Sequence, residues 1–267
     1  MKLTFLGTGT SQGVPVIGCR CPVCSSADPR DNRLRTSAMV ETDDGVRIII
    51  DAGPDFRQQM LRQNVSRTDA ILLTHGHTDH IAGIDDVRAF NFVDYPAAIH
   101  TVHIYAAPHT TRVVLKNFDY AFEENRYRGV PVIELHTIDE EHPFEVKGVE
   151  IVPFKGRHSR FGITGYRIGG LVYMTDFKEI DDTETAKLQG AEVLVVNGLR
   201  PKPHDSHFCI GDALALAERI GPKRVFLTHL SHEAGLHADS ASLLPPNVQF
   251  AYDGLEVAIG NDFTMSF

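Results

Sequence analysis

The chain has 267 residues, 42% of them hydrophobic and 23% charged, an ordinary mixture for one large globular domain with a sizeable core. No run approaches the ~18 apolar residues of a membrane span. The start, Met1-Lys2-Leu3-Thr4-Phe5-Leu6-Gly7, lacks the long apolar stretch of a signal peptide, so the cytoplasm is the expected compartment. A formal net charge of −9 argues against a broad grip on nucleic acid, which needs Lys and Arg at phosphates, but it leaves room for a small anionic substrate, because bound divalent cations reverse the sign locally.

The first predicted strand, 3–6, runs into Gly9-Thr10-Ser11-Gln12-Gly13. That stretch has the spacing of a nucleophile elbow, which must turn from strand directly into helix. Val14-Pro15-Val16-Ile17-Gly18 suits no helix start, so a Gly-rich turn accounts for it. Three thiols then crowd into Cys19-Arg20-Cys21-Pro22-Val23-Cys24, while Cys209 stands far away. This is a poor disulfide framework and a good metal half-site. Structural zinc wants four ligands. His232 is the candidate fourth, in a Cys-rich zinc loop at about 18–26; three reduced free thiols are the alternative. Strands follow at 37–42 and 46–50, a helix at 55–63, and an apolar strand at 70–73.

Directly after that strand comes His75-Gly76-His77-Thr78-Asp79-His80. A strand entering a tight, Gly-containing turn puts four ligands on one exposed rim, and imidazole with carboxylate is a ligand set for zinc, manganese or iron. So short a segment cannot easily wrap all four around one ion, but it can split them between two. A helix predicted at 81–92 carries Arg88 and Asn91 three apart, where they could share a face and reach a phosphate; a solvated salt bridge is the other use of Arg88. A strand at 103–106 and a helix at 111–122 follow. Phe118, Tyr120, Phe122 and Tyr127 mark either a covering helix or an aromatic lid.

The second half reads as strands at 132–135, 144–154, 166–168, 171–174, 193–196, 224–227 and 248–252, with helices at 179–188 and 210–220. The last helix carries an apolar stripe of Ile210, Leu214, Ala217 and Ile220 and stops at Gly221-Pro222. Three further ligand candidates, His158, Asp176 and His229, each follow an apolar strand, where a scaffold fixes a side chain and leaves it open to substrate. His100, His103, His109, His136, His142 and His237 fit no such pattern and read as ordinary polar or structural residues. Strands dominate with helices between them, and no linker or repeat divides the chain, which predicts a single α/β domain over 1–267 with sheet on sheet and helices outside.

The block His-x-His-x-Asp-His, followed in order by His158, Asp176 and His229, resembles the metallo-β-lactamase superfamily over nearly the whole chain. The resemblance implies an αββα sandwich with the site along one edge of the two sheets. It implies one metal on His75, His77 and His158, a second on Asp79, His80 and His229, and Asp176 bridging. The Cys-x-Cys-x-x-Cys loop paired with His232 resembles, within the superfamily, the phosphoribosyl cyclic phosphate phosphodiesterases. A relative linked to pyrroloquinoline quinone synthesis shares the cysteine spacing, but its metal block is eroded and the block here is intact. The resemblance also places a catalytic histidine in Pro201-Lys202-Pro203-His204-Asp205-Ser206-His207, and His207 is preferred over His204 for its nearness to the following helix N-terminus. The candidate catalytic residues are therefore His207, His204 and Asp79.

The expected activity is hydrolysis of a small, cyclic sugar or nucleoside phosphodiester by a hydroxide activated between two divalent ions, Mn²⁺ or Zn²⁺, with one structural Zn²⁺ beside them. The expected partner is that substrate or its monophosphate product, with a second copy of the chain as a further candidate and neither membrane nor bulk nucleic acid. An RNA-processing nuclease would need a basic surface or projecting arm. A thioester or lactam hydrolase leaves the His204–His207 loop without a task. A non-catalytic zinc-stabilised binding protein leaves the intact ligand set unexplained.

Overall fold

The computed structural model describes residues 1–125 and 127–260. In the first half, β1 (Lys2–Gly7), β2 (Ser37–Glu41), β3 (Arg47–Ile50), β4 (Ala70–Leu73), β5 (Val102–Ala106) and β6 (Ile133–Thr137) form one sheet. In the second, β7 (Phe144–Val146), β8 (Val149–His158), β9 (Phe161–Ile168), β10 (Leu171–Tyr173), β11 (Val193–Asn197), β12 (Arg224–Thr228) and β13 (Val248–Phe250) form another. A strand absent from the sequence expectations, β14 (Glu256–Ala258), returns to the first sheet, and the orders are β14-β1-β2-β3-β4-β5-β6 and β13-β12-β11-β10-β9-β8-β7. In each sheet an antiparallel run gives way to a parallel one, from β3 to β6 and from β10 to β13.

The period of two in the strands explains the layering. Leu3, Phe5, Ile48, Ile50, Ala70 and Leu72 point to a core between the sheets, where Tyr166, Tyr173 and Phe226 meet them. Leu6, Ile49, Ile71 and Leu73 point outward to α1 (Phe56–Arg62), α2 (Thr78–Ile81), α3 (Arg88–Asn91) and α4 (Pro108–Asn117). On the far side Val172, Leu194, Val196 and Leu227 lie against α6 (Ile210–Ile220), with α5 (Asp182–Ala186) and α7 (Ser240–Leu243) nearby in sequence. The architecture is an αββα sandwich. No helix of the described residues is long and apolar enough to cross a membrane.

Several expectations need correction. The strand expected at 144–154 is a hairpin that turns at Lys147-Gly148, both at positive φ, with Val146 opposite Val149; lysine is not the usual residue for such a turn. The helix expected at 81–92 is three short pieces. It breaks because the Gly83 N–H donates to Ala52 O rather than up the helix, at an approach so close that a Cβ on Gly83 would lie 2.1 Å from Gly53 O. The buried stripe of α6 is Ala213, Leu216, Ala217 and Ile220, with Ile210 and Leu214 only flanking it. Phe118 is core, and Tyr120 and Phe122 pack beside it, so the segment after α4 is a cover; Tyr127 alone is exposed.

Candidate metal centre

Strands β3, β4, β8, β10 and β12 all deliver their C-terminal ends to one rim. Asp51 leaves β3, the block at 75–80 leaves β4, His158 ends β8, Asp176 follows β10 and His229 follows β12. Asp51, Asp176 and His229 all have positive φ, at 64°, 62° and 53°, a conformation that costs an L-residue energy and marks positions held by their surroundings. Gly53 is required: a Cβ there would sit 2.0 Å from Asp79 O, so only glycine lets the loop after β3 close on the metal turn.

The structure brings the seven candidate ligands together. His75, His77 and His158 offer ligand atoms within 4.8 Å of one another, as do Asp79, His80 and His229, and so do His75, His80 and Asp176. Asp176 stands between the groups, with Oδ2 3.3 Å from His80 Nε2 and Oδ1 3.0 Å from His229 Nε2. Asp79 Oδ2 lies 3.2 Å from His80 Nε2, and His75 Nε2 lies 3.0 Å from His77 Nδ1. Donors at such spacings suit ions with bonds of about 2.0–2.2 Å. The fit is supported by unpaired buried atoms: His80 Nε2 and His229 Nε2 have no hydrogen-bond partner, and an unmet polar atom in a buried place is costly.

Hydrogen bonds behind the cluster set which nitrogen of His75, His80 and His158 faces inward. His158 Nδ1–H donates to Ser206 O at 2.7 Å, leaving Nε2 free for the site. His80 Nδ1–H donates to Asp51 Oδ2 at 2.7 Å. The Thr74 hydroxyl donates to Asp51 Oδ2 at 2.8 Å and so must accept from His75 Nδ1–H, 3.1 Å away. Thr74 N–H completes the set at Asp51 Oδ1, 2.8 Å. One fully buried carboxylate, Asp51, thereby fixes the tautomer of a ligand in each group, directly for His80 and through Thr74 for His75. Sequence reasoning missed Asp51, although it follows an apolar strand just as the candidate ligands do.

The charges agree with a cation site. Burial opposes ionisation of Asp176, but His229 and His80 outweigh it and hold the carboxyl well below the usual range. Asp79 is likewise lowered despite burial, chiefly through His80. Burial disfavours the charged form of His80, yet Asp176, Asp51 and Asp79 together raise it well above an ordinary histidine. Burial, then His80, pushes His75 far down, and burial lowers His77 and His158.

Of the loop histidines, His207 is the inner one. Its Nε2 lies 2.9 Å from Asp176 Oδ1, and its ring stacks on His229 and meets His158 edge-on. His204 stands behind it, Nδ1 to Nδ1 at 3.3 Å, and is lowered by burial and by His207. Asn91 is a correction. It is fully buried, with its amide donating to His100 O and Val132 O and accepting from Val132 N, so it has nothing left for a phosphate. Arg88 does not share its face: it is exposed and paired with Asp85 at 2.8 Å. An unanticipated neighbour is Phe161, half exposed, edge-on to His77 with the Arg160 guanidinium over its ring.

Beside this rim, the loop after β1 is laced to the segment after β12, with Leu230 N–H donating to Thr8 O and Thr10 N–H to Leu230 O. That carries the cysteines to His232, whose Nδ1 is 3.3 Å from Cys19 Sγ and 3.4 Å from Cys21 Sγ, with Cys24 in the same group. A hydrogen bond from Cys24 N–H brings the Cys21 thiol down to about 6 against the pull of burial, while burial pushes Cys24 up to about 11. Gly9 to Gly13 is a turn with no helix after it, as its residues demand.

Comparison with known proteins places these features. The family described as "Beta-lactamase superfamily domain" matches residues 46–230. The crystal structure of a "New Diphosphatase from the PhnP Family" is 40% identical, with a TM-score of 0.89 over 97% of this chain and 98% of that one. Zn²⁺-bound PqqB from Methylobacterium extorquens shares the fold, at 21% identity and TM-score 0.79 over 97% of this chain and 100% of that one. A curated relative, "Octanoyltransferase" of Porphyromonas gingivalis, is 40% identical over 97% of this chain, which spans about half (52%) of that protein's length.

Proposed function

We propose, from the fact that this chain belongs to the beta-lactamase superfamily and within it to the PhnP family, that this metal-dependent hydrolase cleaves small phosphodiesters or diphosphates of sugars or nucleosides, cyclic phosphates included. The observation that carries the reading is the pair of ligand groups meeting at Asp176 with His207 against them. Two divalent ions, Mn²⁺ or Zn²⁺, when bound would supply Lewis acidity that activates water and offsets charge on phosphoryl oxygens. His75, His77 and His158 would hold one, Asp79, His80 and His229 the other, and Asp176 both; a structural Zn²⁺ would sit on Cys19, Cys21, Cys24 and His232.

The chain's own residues supply the rest. Because a carboxylate only accepts, the His207 proton facing Asp176 is at Nε2, aimed into the cluster, as a general acid for a leaving oxygen must be. His204 stands behind Nδ1, with its own Nδ1 accepting from Ser206 N–H. Phe161 and Arg160 offer an apolar wall and a cation beside His77 for a sugar or base and its second phosphate. Two divalent ions outweigh the carboxylates present, so the centre attracts anions in an acidic chain.

The test is a panel at one metal loading: a cyclic phosphodiester, a nucleoside diphosphate sugar, a precursor tRNA and an octanoyl thioester. Turnover of a small phosphate substrate with shallow salt dependence is expected. Preference for the tRNA with steep salt dependence, or for the thioester, refutes the reading. The thioester belongs in the panel because the Porphyromonas gingivalis relative bears an acyl-transfer name, which is that of a protein about twice as long.

A further inference from the structure

A second kind of ligand cluster lies toward the other end of the first sheet. Parallel β5 and β6 set His103 opposite Glu134 and Tyr105 opposite His136. His103 is level with the start of β4, since Ile104 pairs with Ile71, whereas the residues at 75–80 follow that strand's end. Alternation puts His103, Tyr105, Glu134 and His136 on one face, because Val102, Ile104, Ile133 and Leu135 between them belong to the helix-side core.

We propose that His103, Glu134 and His136 form a separate binding site for a divalent late transition-metal ion. His103 Nδ1 is 3.0 Å from His136 Nε2. The two Glu134 oxygens divide between them, Oε2 3.5 Å from His103 Nδ1 and Oε1 3.6 Å from His136 Nε2. Those carboxylate distances are long for hydrogen bonds. Together with the 3.0 Å between the imidazole nitrogens, they bracket the separation of about 3.3 Å between ligand atoms around a tetrahedral ion with bonds of about 2.0–2.1 Å. The site is also preorganised: the His136 ring stacks on Tyr105 at 4.4 Å, and Tyr105 stacks on Phe144 of the opposite sheet at 5.2 Å, both at 15°. Packing thus holds the imidazole in place before any ion arrives.

Two imidazoles and one carboxylate select zinc, copper or nickel over calcium or magnesium. Three protein ligands leave a coordination position for water or a small ligand, and the His103 and His136 side chains are partly exposed, at 40% and 31%. A cavity of about 460 Å³, lined by His100, His103, Arg67 and Lys147, opens beside His103, so a fourth ligand has a way in.

The experiment uses the full chain preloaded with Zn²⁺ and titrated with Cu²⁺, read by calorimetry and electron paramagnetic resonance, in wild type, His136→Ala and Glu134→Gln. Wild type should take one more ion than His136→Ala, with a spectrum coupled to two nitrogens that His136→Ala loses. Glu134→Gln should keep both nitrogens and bind at least about tenfold more weakly, the scale seen when a metal site loses a supporting group. Phosphoesterase turnover should be the same in all three. Equal stoichiometry in wild type and His136→Ala, or an unchanged spectrum in that variant, overturns the proposal.

Discussion

Asp51 accepts three hydrogen bonds, from Thr74 N–H, the Thr74 hydroxyl and His80 Nδ1–H, and Asp51→Asn keeps its size while changing what it can accept. The asparagine oxygen can satisfy Thr74 N–H, which leaves its NH₂ facing His80 Nδ1–H, donor against donor. His80 relieves the clash by moving its proton to Nε2, the atom 3.2 Å from Asp79 and 3.3 Å from Asp176, and thereby loses the lone pair a cation needs. Altered supporting groups of this kind cost about tenfold to a hundredfold in metal affinity, or roughly 1.4–2.8 kcal/mol. The loss should fall on the ion of Asp79, His80 and His229 and be measurable by calorimetric titration of the metal-free variant, with turnover falling in parallel at fixed metal. Thr74→Val is the control: it cuts the relay to His75 but leaves the Asp51–His80 bond, so it should spare that ion more than Asp51→Asn does. Unchanged affinity for both ions in Asp51→Asn would show that Asp51 does not set the tautomer.

Asp176→Asn should weaken metal binding and remove most turnover with the far-ultraviolet circular dichroism unchanged, because it puts an NH₂ among His80, His207 and His229; near-normal activity with both ions bound contradicts the shared-ligand role. Cys21→Ala and His232→Ala should each release one zinc per chain and lower Tm, since structural zinc contributes folding energy directly; full zinc content in both variants, by elemental analysis, rules the site out. His207→Ala should slow esters with poor leaving groups by about 10²–10⁴-fold and nitrophenyl esters far less; if His204→Ala gives that pattern instead, the outer ring is the acid.

The sequence reveals most where one residue type does one job. Apolar runs ending in His or Asp show both the strands and the candidate ligands, because a rigid strand end is where a ligand belongs. Cys19, Cys21 and Cys24 announce a half-site through spacing alone. What stays hidden depends on hydrogen bonds between distant segments. Asp51 looks like any acidic residue after a strand until Thr74 and His80 fold against it. Asn91 looks like a surface amide one turn from Arg88, and only the closure of Val132 over it shows that it faces inward. The break in the helix at 81–92 is equally invisible, since it comes from Gly83 reaching across to Ala52.

The two halves of the chain share one plan, antiparallel strands followed by parallel ones, and neither half by itself holds a complete ligand group of the candidate metal centre at Asp176. His75 and His77 need His158 from the second half, Asp79 and His80 need His229, and Asp176 reaches back to His80. The cluster therefore lies on the seam between the sheets, where ions would add a further tie between elements already joined by the apolar core and by hydrogen bonds such as Thr164 N–H to Thr74 O and the Tyr166 hydroxyl to Leu73 O. The cysteine loop repeats this logic, because Cys19, Cys21 and Cys24 near one end of the chain meet His232 near the other. His232 is three residues beyond His229, so whatever steadies the cysteine loop also steadies the backbone that holds His229 at its positive φ. On this geometry a zinc held by Cys19, Cys21, Cys24 and His232 would also steady the candidate metal rim.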